Sequence, residues 1–307
     1  MWRAAAAMIA ALVVFCAGAP ALAQTSRQGA TAPAANAPLT DVEMRALVAR
    51  VVANQHRNDD ALNLYERREH RIVWESAEQK KIADDKLYRV VPTGTGTIKM
   101  VLADGGKPTP APEYRKQLQY VEQALVWALN PAEPKQKARV DKFEKKARER
   151  SETVDAVLDA YTFTFLGRET RNGRTLVKLR FDPNPAYNPP SRSTDMLSHA
   201  TAVVWIEPAA AQLVRIEAEL ARDFSIGGGF LGKVYKGGRF VMEQAPVGDG
   251  VWLPIELRYG FRGRKFVFGF DLFEETRASD YRRIGPPAQA LAAVRAELNG
   301  ARASGSP

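Results

Sequence analysis

Residues 203–220, VVWIEPAAAQLVRIEAEL, contain two apolar runs separated by a turn. The second run alternates apolar with charged residues: Val214, Arg215, Ile216, Glu217, Ala218 and Glu219. A period of two is typical of a β-strand whose two faces have different surroundings. The stretch therefore predicts a β-hairpin with one apolar face and one charged face.

The same period extends through most of the chain after residue 160. Its apolar members are Phe163, Phe165, Thr175, Val177, Leu179, Phe181, Leu253, Ile255, Leu257, Tyr259, Phe261, Phe266, Phe268, Phe270 and Leu272. Turn sequences separate the runs at 171–174 (RNGR), 207–212 (EPAAAQ), 248–250 (GDG) and 262–265 (RGRK). These runs predict an antiparallel meander, whose apolar face must be covered by helices or wrap around something.

The first half of the chain mixes helical and strand patterns. Thr40 or Asp41 caps an amphipathic helix that we expect to end near His56. Strand-like runs follow at 62–74, 87–91 and 98–102, and helical spacing returns at 112–159 on either side of Pro131 and Pro134. A chain of helix, strands, helices and then many strands belongs to the α+β class.

The N-terminus has the composition of a signal peptide. An apolar run and an Ala-Leu-Ala site predict cleavage after Ala23, followed by a flexible leader at 24–38. Cleavage would remove Cys16, the one cysteine, so disulfides and thiolate chemistry are not expected in the mature chain. We expect a single domain at 39–285, with a helical insertion at about 112–159, and a C-terminal helix or tail at 286–307.

The net charge of +9 raises the question of an anionic partner. The basic residues concentrate on one predicted helix: Lys135, Lys137, Arg139, Lys142, Lys145, Lys146, Arg148 and Arg150. A nucleic-acid site would need interleaved aromatic residues and a recognised fold, and the segment has neither. We therefore expect no nucleic acid, and interpret the run as a solvated helix face or a surface for an anionic envelope partner.

Gly227, Gly229 and Gly232 have the G-x-G-x-x-G spacing of a nucleotide-binding loop. That motif needs a helix beginning inside it, whereas residues 239–243 alternate like a strand. The glycines are better explained by a strand connection or a bulge. Phe224, Phe230 and Leu231 flank them, as in a lid over an apolar cavity or in an ordinary core hairpin.

Catalytic signatures are weak. His56, His70 and His199 are far apart in sequence, and the run at 66–70 (ERREH) is only a near miss to an inverted zinc-protease motif. Asp155 and Asp159 have helical spacing and so could pair, but exposed acidic residues on a helix are commoner. We expect no enzyme activity, no metal and no cofactor, and keep an envelope hydrolase as the third hypothesis.

Four segments carry a resemblance to a known family: residues 203–220, GGGFLGKVYKGGRFVMEQ at 227–244, GDGVWLPIELRY at 248–259 and SDYRRI at 279–284. The chain resembles the outer-membrane lipoprotein-sorting superfamily, which includes the periplasmic lipoprotein carrier and a lipid-sensing domain of a sigma-factor regulator. The resemblance implies a strongly curved antiparallel sheet, an incomplete β-barrel covered by helices, with a cavity for acyl chains. The helices at 112–159 are longer than the simple carrier needs.

The leading hypothesis is a periplasmic protein, secreted through the inner membrane, that binds or carries a lipid or lipidated protein in a hydrophobic cavity. The predicted lining residues are Trp205, Phe224, Phe230, Leu231, Leu257, Tyr259, Phe266, Phe268 and Phe270. The alternative is a non-catalytic envelope interaction module that docks on a membrane or protein partner through the basic helix.

Overall fold

The structure is a computed structural model that describes residues 37–130, 134–226 and 231–303. The predicted signal peptide, most of the predicted leader, Phe230 and the glycines at 227–229 lie outside the described residues. Among those described, no helix combines the length and apolar character needed to cross a bilayer.

The described helices are α1 (Asp41–Leu62), α2 (Ala111–Ala128), α3 (Pro134–Asp155), α4 (Val157–Ala160), α5 (Arg192–Asp195) and α6 (Pro287–Ala303), with a 3₁₀ turn at Met196–His199. The described strands are β1 (Tyr65–Trp74), β2 (Ile82–Pro92), β3 (Thr97–Asp104), β4 (Lys107–Pro108), β5 (Tyr161–Arg171), β6 (Arg174–Pro183), β7 (Ala200–Glu207), β8 (Gln212–Leu220), β9 (Phe224–Ile226), β10 (Gly232–Val234), β11 (Arg239–Gly248), β12 (Val251–Lys265) and β13 (Phe268–Arg283).

All thirteen strands form one antiparallel sheet in the order β4-β3-β2-β1-β13-β12-β11-β8-β7-β6-β5. The hairpin β9–β10 joins this path through β12, beyond the end of β11. Strands β4 and β5 stand at the two edges and do not pair with each other, so the sheet is open. The α+β class and the incomplete barrel covered by helices are confirmed.

Helix α1 begins as its sequence predicts. The Thr40 side chain accepts from the Glu43 N–H, and the Glu43 carboxylate accepts from the Thr40 N–H at 2.8 Å, which forms a capping box. The helix ends at Leu62 and not near His56. The apolar period stops earlier because the last turns bury polar side chains, Asn58 among them, which hydrogen-bond to the sheet.

The two faces of the sheet differ in chemistry. One row of directly opposed residues crosses it: Leu179, Val204, Ile216, Met242, Leu257, Thr276 and Arg71. Opposed residues share a face. Within this row the residues are apolar from β6 to β12 and polar on β13 and β1. Leu47 and Val48 of helix α1 pack on the apolar part of this face. We call this side of the sheet the α1 face.

Helices α2 and α6 cover the opposite face at one edge of the sheet. Leu118 and Leu125 of α2 and Leu291 of α6 pack against Val91 of β2 and Met100 of β3. This packing leaves the centre of that face uncovered. We call this opposite side of the sheet the groove face.

One predicted turn is wrong. Residues 262–265 (RGRK) lie inside β12, and the turn that joins β12 to β13 is Phe266-Val267. Gly263 occurs within the strand because the carbonyl of Lys233 and the ring of Phe270 leave no room for a Cβ atom. Glycine is a reliable turn signal only where no such close approach explains it.

Candidate functional site

The groove face contains an open cavity of about 1330 Å³ that crosses seven neighbouring strands, from β6 to β1. Residues on strands so far apart line one cavity, so the sheet curves around this face. Its principal side chains are Trp74, Arg180, Thr201, Val203, Arg215, Glu217, Glu219, Asp223, Tyr235, Lys236, Arg239, Val241, Arg258, Arg262 and Phe273. We call this cavity the groove.

The charges on the groove floor are arranged in ion pairs, some within one strand and some between adjacent strands. Arg215 contacts Glu217 at 2.7 Å and Glu243 at 2.8 Å. Partial burial alone would lower the pKa of Arg215, but its hydrogen bonds to both carboxylates outweigh this and raise it. Arg239 pairs with Glu219 at 3.2 Å, and Arg258 with Glu256 at 3.2 Å. The floor is therefore charged but locally neutralised.

Aromatic rings form one wall of the groove. Trp74 of β1 and Phe273 of β13 are directly opposed. A Cβ atom on Gly260 would lie 2.8 Å from the Phe273 ring, so glycine lets that ring lie over the neighbouring strand. The Arg262 guanidinium lies 5.9 Å from the Phe273 ring centroid, a cation–π contact. This wall offers apolar surface and a cation together.

The rim of the groove explains two of the glycines that follow the G-x-G-x-x-G run. Gly237 has φ +82°, a conformation that favours glycine. A Cβ on Gly238 would lie 2.4 Å from the Phe261 ring. Strand β11 follows at Arg239, so the described residues contain strands where a nucleotide-binding motif needs a helix. The interpretation of a strand connection is confirmed for the part that is described.

Asp223 holds the rim to the β9–β10 hairpin. Its carboxylate contacts Lys233 at 2.7 Å and accepts from the Lys236 N–H at 2.8 Å. The Lys233 hydrogen bond, aided by that N–H, lowers the pKa of Asp223. These contacts fix the loop that carries Tyr235 beside the groove.

The predicted lining residues separate into several groups. Phe224, Leu257, Tyr259 and Phe270 meet in one apolar cluster on the α1 face, and Tyr259 also borders the groove. Leu231, Phe266 and Phe268 are exposed near the β12–β13 turn. Phe230 lies outside the described residues.

Trp205 lies on the groove face, away from that apolar cluster. Its Nε1–H donates to Glu169 at 2.9 Å, and Lys178 lies 4.7 Å from its ring centroid. Trp205 is directly opposite Arg215 in the neighbouring strand, so the two side chains lie on the same face of the sheet. The structure thus brings four predicted residues together and sets Trp205 apart.

Sequence reasoning missed the charged lining of the groove. Arg215, Glu217 and Glu219 belong to the polar stripe of the alternating pattern, which is normally the solvent side of a sheet. The pattern identifies these residues as one face but carries no sign that the sheet curves toward it.

The α1 face contains a second polar group at the junction of β12, β13 and β1. Arg71 contacts Glu274 at 2.7 Å and Asp84 at 2.6 Å. Burial alone would lower the pKa of Arg71, but these carboxylates outweigh it and raise it. Burial, followed by the charge of Glu274, raises the pKa of Tyr259. This network joins the apolar cluster to the charged edge of the sheet.

The three histidines occupy three separate places. His56 pairs with Asp155 at 2.7 Å, His70 with Asp85 at 2.7 Å, and His199 with Asp195 at 3.6 Å. In the described parts of the chain no three His, Cys, Asp or Glu residues gather as metal ligands. Asp155 thus pairs with a histidine on α1, and the groove gathers no histidine.

No family model and no curated protein matches the chain. Similar solved structures include a Vibrio parahaemolyticus domain named for outer membrane lipoprotein sorting, with 12% identity, TM-score 0.29, and coverage of 76% of this chain and 92% of that one. A DUF1329 family protein from Desulfovibrio piger has 12% identity, TM-score 0.28, and coverage of 78% and 92%. A LolA superfamily protein from Nitrosomonas europaea has 10% identity, TM-score 0.26, and coverage of 80% and 96%.

These neighbours include the superfamily that the strand sequences resemble. TM-scores this low carry no conclusion about a ligand or a partner.

Proposed function

We propose that the protein is a non-catalytic binding or carrier protein of the periplasm that holds a lipid, or the acyl chains of a lipidated protein, along the groove. The observation that carries this proposal is the open cavity of about 1330 Å³ lined by both aromatic rings and arginines. Its predicted secretion through the inner membrane is part of the same proposal.

The size of the groove favours a long guest. Pockets for small ligands usually enclose about 300–1,000 Å³, and the groove exceeds that range and is open. An acyl chain of about sixteen carbons offers on the order of 12 kcal/mol when its methylenes leave water, before ordering costs. A long flexible guest gains this free energy as the sum of many separate apolar contacts along its chain.

The lining suits a guest with one apolar and one anionic part. Trp74, Phe273 and Tyr235 offer apolar surface, while Arg262 and Lys236 lie beside them as cations. Arginine binds carboxylate and phosphate oxygens well because its guanidinium presents a planar fork of donors. We expect the anionic group at Arg262 and the acyl chain along the aromatic wall of Trp74 and Phe273.

The nine residues predicted from the sequence remain a second proposal for the acyl site. Leu257, Phe270 and Tyr259 belong to a buried cluster that also contains Met196 of the 3₁₀ turn, and a movement of this turn would open the cluster from the α1 face. Substitutions in the groove and substitutions in the apolar cluster on the α1 face therefore distinguish the two proposed acyl sites.

The test has two steps. Native mass spectrometry of the chain purified from its own periplasm should show a co-purifying lipid, and a fluorescent fatty acid should bind the delipidated protein. Phe273→Ala and Arg262→Gln should weaken that binding, whereas Phe165→Ala, at the far edge of the sheet, should not. If no lipid co-purifies and no fatty acid binds, the proposal fails. If Leu257→Ala, still folded, weakens binding and Phe273→Ala does not, the site lies on the α1 face.

The basic surface of α3 supports a second candidate function, docking on an anionic envelope partner. Its exposed basic side chains are Lys137, Arg139, Lys142, Lys145, Lys146 and Arg148, whereas Arg150 is buried. Charge reversal at Lys142, Lys145 and Lys146 should abolish partner capture and leave fatty-acid binding unchanged. Unchanged capture would remove this candidate.

A further inference from the structure

The turn between β12 and β13 exposes a cluster of apolar side chains. Val267 is 84% exposed and Phe268 is 71% exposed. Phe266 and Leu231 are also exposed, and the Phe266 N–H donates to the Leu231 carbonyl at 3.3 Å. We call Leu231, Phe266, Val267 and Phe268 the tip cluster. It lies at the end of the two long strands that cross the middle of the sheet.

The fold does not require apolar residues at this turn. Lys265 pairs with Phe268, which leaves Phe266 and Val267 as a two-residue turn. Such turns favour Asn, Asp or Gly, because positive φ is costly for bulky side chains. Phe266 nevertheless has φ +54°. The turn therefore places large apolar side chains in water at the expense of local stability, as residues selected for a contact would.

Five basic residues lie on β10, just after β10 and on β12, the segments that lead to the tip cluster. Lys236, Arg262 and Lys265 are exposed, and Lys233 and Arg264 are half-buried. The Arg264 Nη1 donates to the Phe266 carbonyl at 2.8 Å, so its charge lies at the turn itself. The nearby acidic residues include Asp223, which pairs with Lys233, Asp271, which is opposite Arg262 in the sheet, and Glu78, whose charge interacts with Arg262. We call the five basic residues the basic collar.

We propose that the tip cluster inserts into the headgroup region of an anionic lipid bilayer, with the basic collar on the lipid phosphates. Apolar side chains projecting from a positively charged surface match the two parts of such an interface, since aromatic residues enter the acyl boundary and cations attract anionic headgroups. The charge of the collar selects an anionic bilayer over a neutral one.

The shape of the cluster favours a bilayer over a second protein. A stable protein interface buries about 800 Å² on each partner, whereas four side chains at a narrow hairpin end present far less and no flat surface. Insertion into a bilayer needs only a few apolar groups that can leave water together.

The tip cluster lies next to one end of the groove, but the proposed membrane contact does not require a ligand in the groove. Tyr235, Lys236 and Arg262 line the groove, and two of them belong to the basic collar. A bilayer at the tip would therefore face one end of the groove. The membrane contact stands even if the groove binds no lipid, because fatty-acid binding and vesicle binding are measured separately.

The test is co-sedimentation of the mature chain with two kinds of vesicle, phosphatidylcholine alone and phosphatidylcholine with about one third phosphatidylglycerol. We expect binding to the anionic vesicles that weakens with salt. The double variant Val267→Ser, Phe268→Ser should bind at least about tenfold more weakly, since it removes two apolar insertions. Val42→Ser is the matched control, because Val42 is 78% exposed on α1 and far from the tip.

A second pair of changes tests the collar. Lys236→Gln with Lys265→Gln should weaken binding to anionic vesicles on the order of tenfold. An unchanged thermal midpoint would show that each variant is folded, as expected for exposed positions. Equal binding by the wild type and the tip variant would overturn the proposal. So would loss of binding only on charge reversal of α3, or a dimer that the tip variant converts to a monomer.

Discussion

The carboxylate of Asp59 on α1 accepts a hydrogen bond from Arg150 Nη2 on α3 at 2.6 Å, and both side chains are buried. Arg150 is thus a buried member of the basic run on α3 that joins α3 to α1. Arg150→Ala would leave the Asp59 charge without its main partner. We expect a loss of about 3–5 kcal/mol in the free energy of unfolding, measured by urea denaturation.

Lys146→Ala on the same helix is the control, because Lys146 is exposed and should change stability by no more than about 0.5 kcal/mol. Equal effects of the two substitutions would show that the ion pair does not hold α3 on α1.

Gly263 and Gly269 provide a second comparison. A Cβ on Gly263 would lie 2.3 Å from the Lys233 carbonyl, whereas a Cβ on Gly269 has its nearest atom at 3.9 Å. Gly263→Ala should therefore separate β10 from β12 and lower stability by about 1–3 kcal/mol. Gly269→Ala should be tolerated. The Tyr235 N–H donates to the Arg262 carbonyl at 2.8 Å, so hydrogen exchange of the Tyr235 amide would report the loss of pairing between β10 and β12. Equal protection of this amide in both variants would contradict the prediction.

Trp74 offers an optical probe of the groove. Its indole lies in the aromatic wall, so a guest in the groove should shift the emission to shorter wavelength as water leaves the ring. Trp74→Phe should remove this shift. Trp127→Phe should retain it, because Trp127 lies on α2 against Arg139. A shift that survives Trp74→Phe and disappears in Trp127→Phe would place the guest elsewhere.

Acid should weaken the buried charge network on β1. Burial alone would raise the pKa of Glu69, but Arg67 and Lys99 outweigh it and hold this pKa below its usual 4.5. A depressed carboxylate pKa contributes stability above the unfolded-state value and loses it as pH falls through the folded-state value. The free energy of unfolding should therefore fall as pH drops from about 5 to about 3.

Glu69→Gln should reduce this pH dependence and also lower stability at pH 7, since Arg67 and Lys99 lose their shared partner. Glu144→Gln, at an exposed position on α3, should leave the slope unchanged. The same slope in both variants would show that Glu69 does not contribute to acid sensitivity.

Local patterns predicted the local structure well. The period of two located strands β5 to β8, and the Asn172-Gly173 pair produces the expected tight turn, with both residues at positive φ. The Thr40 cap located the start of α1. These features depend on residues a few positions apart, which a single sequence displays directly.

Long-range features were not predictable from the same patterns. Strand β1 pairs with β13, some two hundred residues later in the chain, and no short-range signal fixes that register. This pairing buries Arg67 and Glu69, which a sequence pattern assigns to solvent. The tip cluster was missed because Phe266-Val267 reads as a strand.

The open sheet has two unpaired edges, and the edge strand at each disfavours pairing with a further strand. Strand β4 is two residues long and contains Pro108, which has no N–H to donate. Strand β5 is interrupted by a bulge between Phe165 and Gly167, which disturbs its row of free backbone groups. Such edges discourage edge-to-edge aggregation. The thirteen-stranded sheet can thus remain open around the groove while its edges resist the strand pairing that would lead to fibrils.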